Sequence, residues 1–157
     1  MGRILTELRT YAIVKKIPAT CRSRSARIHE NVTHPVCELR ILVADDFAPW
    51  RAQARSLLQQ RPEWQIIEAC DGLEAVHKAT ELRPDIVLLD IGMPILNGIE
   101  AAEKIREATP QSRIIFVTSD GDADVKAAAL ATGAEAYLAK ARAASELLPT
   151  IAATLDE

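Results

Sequence analysis

Asp90 closes an unbroken apolar run, Ile86-Val87-Leu88-Leu89, and is followed by Ile91-Gly92-Met93-Pro94 and then Asn97-Gly98. A carboxylate at the carboxyl end of a strand stands in the crevice where open parallel α/β sheets bind ligands. Asp45 and Asp46 close a second such run, Ile41-Leu42-Val43-Ala44. Three acids at two strand ends imply one acidic pocket. Two carboxylates about 4 Å apart repel by roughly 4 kcal/mol at an effective dielectric near 20. Either one carboxyl takes a proton or a hard divalent cation sits among them. Mg2+ suits such oxygen ligands, with water completing its octahedron, and a site of this kind serves phosphate chemistry in which a carboxylate attacks phosphorus.

The elements that must position these acids follow from the hydrophobic pattern. From Arg40 onward, short β-type runs at 40–44, 65–69, 86–89, 113–117 and 135–139 alternate with helix-type segments. In 72–82 the apolar positions are Leu73, Val76, Ala79 and Leu82, and Asp71 with Glu74 forms a capping-box-like start. In 98–108, Ile99, Ala102 and Ile105 repeat, with Asn97 and Glu100 placed to cap. Segment 121–131 is rich in alanine and ends at Gly133; segment 142–155 presents Leu148, Ile151 and Leu155 and is interrupted by Pro149. Several strand runs are apolar without alternation, which indicates burial on both faces. Five βα units with short links predict an α/β, flavodoxin-like, doubly wound parallel sheet of order 2-1-3-4-5 with five helices. That order makes strands 1 and 3 neighbours and brings Asp45, Asp46 and Asp90 together.

Of the 157 residues 48% are apolar and only 4% aromatic, so the core must be mostly Ile, Leu, Val and Ala. Residues 1–38 carry seven Lys/Arg against three Asp/Glu, net +4; residues 39–157 carry twelve against nineteen, net −7. The acidic body is a poor candidate for binding nucleic acid through its own surface. The stretch Arg22-Ser23-Arg24-Ser25-Ala26-Arg27 and Pro18 make residues 1–38 read as a disordered or weakly structured basic arm, with 39–157 as the folded domain. Cys21, Cys37 and Cys70 fit no CxxC or zinc spacing and read as reduced thiols. The longest apolar run near the start, Tyr11 to Val14, is too short for a signal peptide or a membrane span, which points to the cytoplasm. Trp50 and Trp64 read as packing residues, and His77 as a surface residue.

Asp45-Asp46, Asp90, Thr118-Ser119 and Lys140 stand at the ends of strands 1, 3, 4 and 5. Together they resemble the receiver domain of two-component response regulators. The stretch Asp90 through Met93-Pro94 and Asn97-Gly98-Ile99-Glu100-Ala101-Ala102, and the ending Gly133-Ala134-Glu135-Ala136-Tyr137-Leu138-Ala139-Lys140, are similar to the NarL/FixJ type, a CheY-like fold. The resemblance implies that Asp90 accepts a phosphoryl group from a phosphohistidine to give an aspartyl phosphate. It implies Mg2+ held by Asp46, Asp90 and the backbone carbonyl of Gly92, with Asp45 acting through water. Lys140 would pair with Asp90 before transfer and with a phosphoryl oxygen after it. Thr118 would bond another oxygen, and Tyr137 would turn inward as Thr118 moves.

The implied partners are a sensor histidine kinase or phosphotransfer protein and a downstream protein. A homodimer through helix 4, strand 5 and helix 5 is a further expectation. Such a domain is no enzyme in the usual sense, although it catalyses its own phosphorylation. Relatives of this type continue into a helix-turn-helix domain, so the chain reads as a stand-alone receiver or as the receiver half of a DNA-binding regulator. The sequence departs from the family at Ala141, where proline joined by a cis bond is usual. A cis bond before a non-proline residue costs about 2.5–4 kcal/mol, so the Lys140–Ala141 bond is predicted to be trans. That departure keeps open a degenerate receiver acting as a phosphorylation-independent binding module. Gly92 and Asp120 stand where the family tunes phosphate lifetime. A phosphohydrolase of the haloacid dehalogenase kind would need a second acid two residues after Asp90, where Gly92 stands.

Overall fold

The computed structural model describes residues 38–119 and 121–156. The expected basic arm, with Cys21 and Cys37, lies outside these residues except for Glu38, and Asp120 lies outside them too. In chain order the elements are β1 (Arg40–Ala44), α1 (Ala48–Leu58), β2 (Gln65–Ala69), α2 (Gly72–Leu82) and β3 (Ile86–Leu89). There follow α3 (Gly98–Ala108), β4 (Arg113–Thr118), α4 (Ala123–Ala131), β5 (Ala136–Ala139), a 3-10 turn (Lys140–Arg142) and α5 (Ala143–Leu155). All strand pairs are parallel, in the order β2-β1-β3-β4-β5. This is the predicted doubly wound, CheY-like sheet.

Successive strand side chains point to opposite faces, and here each face is covered by helices. Ile41, Val43, Leu88, Ile115 and Val117 pack with Trp50, Ala54 and Leu58 of α1 and with Ala143, Leu147 and Ile151 of α5. Leu42, Ala44, Val87, Leu89, Ile114 and Phe116 pack with Ala75 and Ala79 of α2, Ala101, Ala102 and Ile105 of α3, and Ala129 of α4. The central strand β3 is buried throughout, which explains its lack of alternation. Each fully buried Leu, Ile or Phe stabilises the fold by about 1.5–3 kcal/mol relative to exposure.

The helical faces differ in phase from the sequence reading. In α2 the buried residues are Gly72, Ala75 and Ala79, while Leu73 is exposed. In α5 they are Ala143, Leu147, Ile151 and Thr154, with Leu148 and Leu155 packed at the edge. Small residues let α2 and α3 approach the sheet closely, so the bulkiest side chains do not mark the buried face. Pro149 does not interrupt α5. It lies on the exposed side, and the carbonyl its ring leaves unpaired belongs to Ser145, also exposed. Helix α4 begins at Ala123 rather than at 121, because Asp122 caps it by accepting the N–H groups of Asp124 (2.8 Å) and Val125 (3.3 Å).

Two helix starts are tied to the loops that bear the acids. Asn97 accepts from the amides of Ile99 (2.9 Å) and Glu100 (3.0 Å), and Glu100 takes the Asn97 amide in return (3.3 Å), a complete capping box. At α2, Asp71 accepts the Glu74 amide at 2.7 Å, but Glu74 reaches past Asp71 to the amide of Cys70 at 2.7 Å. Glu74 also pairs with Lys78 at 2.7 Å. A Cβ on Gly98 would overlap the carbonyl oxygen of Asp90, and one on Gly72 that of Leu96. The first turn of α3 therefore lies directly on the backbone of Asp90.

Gly98→Ala is expected to lower stability by about 2–3 kcal/mol, the cost of forced overpacking against backbone, in urea unfolding followed by circular dichroism. A neutral effect would show that the loop yields freely. Glu74 has its carboxyl held down at about 2, from 4.5, by the Cys70 thiol and then by Lys78 and the Cys70 amide. Because the folded value is the lower one, its stabilisation is present above 4.5 and is lost as pH falls toward about 2. Glu74→Gln should cost about 0.5–1 kcal/mol near neutral pH, given its partial exposure. The gap to the parent should close across that acid range.

Candidate functional site

The sheet ladder continues one bond beyond β1 and β3 and so fixes the backbones of two acids. The Asp45 amide donates to the Ala69 carbonyl at 3.1 Å, and the Asp90 amide to the Ala44 carbonyl at 3.0 Å. Ala44 and Leu89 are register partners, so Asp45 and Asp90 leave the sheet side by side. Asp45 and Asp90 are buried, whereas Asp46 is exposed at the rim. One carboxylate oxygen from each lies within 4.8 Å of the others. The predicted cluster forms.

Asp45 Oδ1 accepts the Phe47 amide at 2.9 Å, which turns the chain into α1. Arg51 donates to the Asp45 carbonyl at 2.8 Å and pairs with Glu68 at 3.4 Å, clamping that loop to β2. On the other side, the Gly98 amide donates to the Ile91 carbonyl at 2.9 Å, which draws the loop after Asp90 back onto α3. Gly92 is exposed, and a Cβ there would meet nothing within 4 Å. Exposed Phe47 and Ile95 belong to the same two loops. Ile95 has φ +69°, a region that costs a β-branched residue about 1–3 kcal/mol.

Lys140 enters from the turn after β5. Its Nζ lies 2.6 Å from Asp45 Oδ2 and 3.4 Å from Asp90 Oδ2, with its side chain 16% exposed. The lysine was expected to pair with Asp90, and the shorter contact is with Asp45. That contact is an ion pair and not an aligned hydrogen bond. Asp45 is the more buried carboxylate and needs the counter-charge most. Burial pushes its carboxyl above the usual range, and the Asp90 charge adds to this; Lys140 and the Phe47 amide pull the other way. All described peptide bonds are trans, the Lys140–Ala141 bond included, as its sequence predicts.

Thr118, the last residue of β4, is buried. Tyr137 pairs in register with Phe116, and Thr118 with Ala139, so Thr118 and Tyr137 share one face of neighbouring strands. The Tyr137 ring packs at the edge of the second core cluster, with the Lys126 ammonium of α4 5.5 Å from its centroid. Two residues near the site were not among the expected site residues. Arg51 is one. The other is Trp50, which packs in the core as expected and whose ring centroid also lies 5.5 Å from Lys140 Nζ. Both stand one turn into the helix that follows Asp45-Asp46, a position that could have flagged them.

The donor set fits a hard cation. All three groups offer oxygen, and ligands about 2.1 Å from one Mg2+ stand no more than about 4.2 Å apart. Carboxylates already within 4.8 Å need to move by less than an ångström. Cys70, Asp71 and Glu74 also cluster, but Asp71 caps α2 and Glu74 is engaged by Lys78 and the Cys70 amide. Among the described residues no helix is long and apolar enough to cross a membrane.

Comparison with known proteins agrees with this geometry. Residues 41–152 match the response regulator receiver domain. The chain is 39% identical over 114 residues to the transcriptional regulatory protein LnrK of Bacillus subtilis (strain 168), covering 72% of this chain and 52% of that one. It is 35% identical over 113 residues to the nitrate/nitrite response regulator protein NarL of Escherichia coli (strain K12), covering 71% and 52%. The response regulator domain of Thermotoga maritima CheB superposes with a TM-score of 0.69 at 34% identity, over 76% of this chain and 97% of that one. The chain spans about half the length of these two curated relatives. A parallel sheet whose carboxyl edge gathers three acids and a lysine, and a sequence match that runs from β1 into α5, have one common conclusion: the chain belongs to the response regulator receiver domain family.

Proposed function

We propose that the domain accepts a phosphoryl group on Asp90 from a phosphohistidine of a sensor histidine kinase or phosphotransfer protein in the cytoplasm. The observation that carries this reading is the site itself. A buried carboxylate at the end of β3 has two further acids within 4.8 Å and an ammonium 3.4 Å away. An Asp90 oxygen attacks phosphorus, the P–O bond forms as the P–N bond breaks, and the electron pair leaves with the imidazole nitrogen, which takes up a proton.

Asp46, Asp90 and the Gly92 carbonyl would hold Mg2+, with Asp45 acting through water. When bound, the ion offsets the negative charge that gathers as phosphate meets carboxylates. Lys140 stays near enough to meet one phosphoryl oxygen, and the Thr118 hydroxyl meets another. Phosphorylation adds about −1.5 to −2 charge and three strong acceptors, which two residues from different strand ends can answer only by moving their loops. Tyr137 follows Thr118, and the face of α4, β5 and α5 shifts its population between two arrangements. That face then engages a downstream protein, or a second copy of the chain. A receiver acts through such contacts and is not an enzyme in the usual sense.

Incubation with acetyl phosphate and Mg2+ should introduce one acid-labile phosphate, seen by intact mass, and Asp90→Asn or EDTA should abolish it. Undiminished labelling of the Asn variant would refute the assignment; no labelling of the parent would favour a phosphorylation-independent binding module. Mg2+ at a hundred times its dissociation constant should raise stability by about 2.7 kcal/mol near neutral pH, read as a higher Tm. The gain should vanish in Asp46→Asn. An identical Tm with and without the ion would remove the metal site.

A further inference from the structure

We infer that Trp50 is a positioning residue for the phosphoryl-accepting site: its ring holds the Lys140 ammonium at the sheet edge beside Asp45 and Asp90. The inference rests on the phosphoacceptor reading and names what keeps its lysine in place. Among the described residues this ammonium meets Asp45 at 2.6 Å, Asp90 at 3.4 Å and the Trp50 ring, its centroid at 5.5 Å, three groups in all. A tryptophan face is the aromatic surface that attracts a cation best, and the attraction grows when water is excluded.

The indole is a firm support. Trp50 is 7% exposed and packs in the core cluster that contains Leu138, Ala143 and Leu147. That cluster joins α1 to β5 and α5, the strand and helix that flank Lys140. The lysine has a long flexible stem, and the next residue, Ala141, is exposed. What places the ammonium is the surroundings of its head. Of the three, the two carboxylates pull less once a divalent cation sits among them. The π face does not depend on those charges. It keeps the ammonium at the edge through the step in which a phosphoryl oxygen arrives.

The experiment compares initial rates of acetyl-phosphate labelling at saturating Mg2+, with Tm recorded for each protein. Trp50→Phe, which keeps a ring, should label within about threefold of the parent, and Trp50→Leu, which keeps only apolar bulk, should be about tenfold slower. In a Lys140→Met background Trp50→Leu should cause no further loss, because the indole acts through the lysine. Equal rates for the parent and the Leu variant overturn the proposal, as does a loss that persists without Lys140. A second readout stands should the Leu variant fail to fold. Trp50 and Trp64 are the two tryptophans, so Trp64→Phe isolates the emission of Trp50. Adding Lys140→Met should shift that emission by removing the nearby charge, and an unchanged spectrum overturns the contact. An unlabelled parent would bring down the phosphoacceptor reading and this one with it. A labelled parent with equal variant rates brings down this one alone.

Discussion

Like charges gathered in a poorly hydrated place set the terms for the rest of this molecule. Asp45 and Asp90 are both buried at the carboxyl edge of the sheet, with Asp46 at the rim and all three within 4.8 Å. At such distances each pair repels by roughly 4 kcal/mol even at an effective dielectric near 20. Folding tolerates this because the ladder holds the two backbones, the Phe47 amide takes one lone pair of Asp45, and Lys140 supplies charge. The arrangement is left short of cations, which makes it receptive to a divalent ion.

The surrounding structure serves to keep that edge from relaxing. Gly98 lets α3 sit on the Asp90 carbonyl, and the Asn97–Glu100 box fixes where α3 begins. Arg51 ties the loop after β1 to β2 through Glu68. Trp50 backs Lys140 from the same helix. Residues that would raise no interest on a surface become consequential because they stand one layer behind the acids. The Lys126 ammonium over the Tyr137 ring has a similar place on the α4 side, where the proposed switch would move.

Much of this was legible beforehand, and the reasons are local. Unbroken apolar runs ending in Asp45 and Asp90 report burial on both faces and a strand terminus at once. Asn97 and Glu100 state a helix start in four residues. Helix faces were harder to read. Leu73 turns outward and Ala75 inward, because close helix packing over the sheet favours small side chains where the pattern seeks large ones. Pro149 likewise reads as a break from its chemistry alone, yet an exposed carbonyl makes it tolerable in α5.

By itself the chain determined the order and type of its elements, the strand ends that carry acids, hydroxyl and lysine, and the family they resemble. The elements and strand ends follow from periodicity and spacing, which act over a few residues, and the family from the resemblance of the motifs. Only the tertiary structure decided which carboxylate Lys140 favours, that Trp50 and Arg51 stand behind the site, and which side of each helix faces inward. Such matters depend on distances between segments far apart in the chain, where desolvation and Coulomb energy change steeply over an ångström or two.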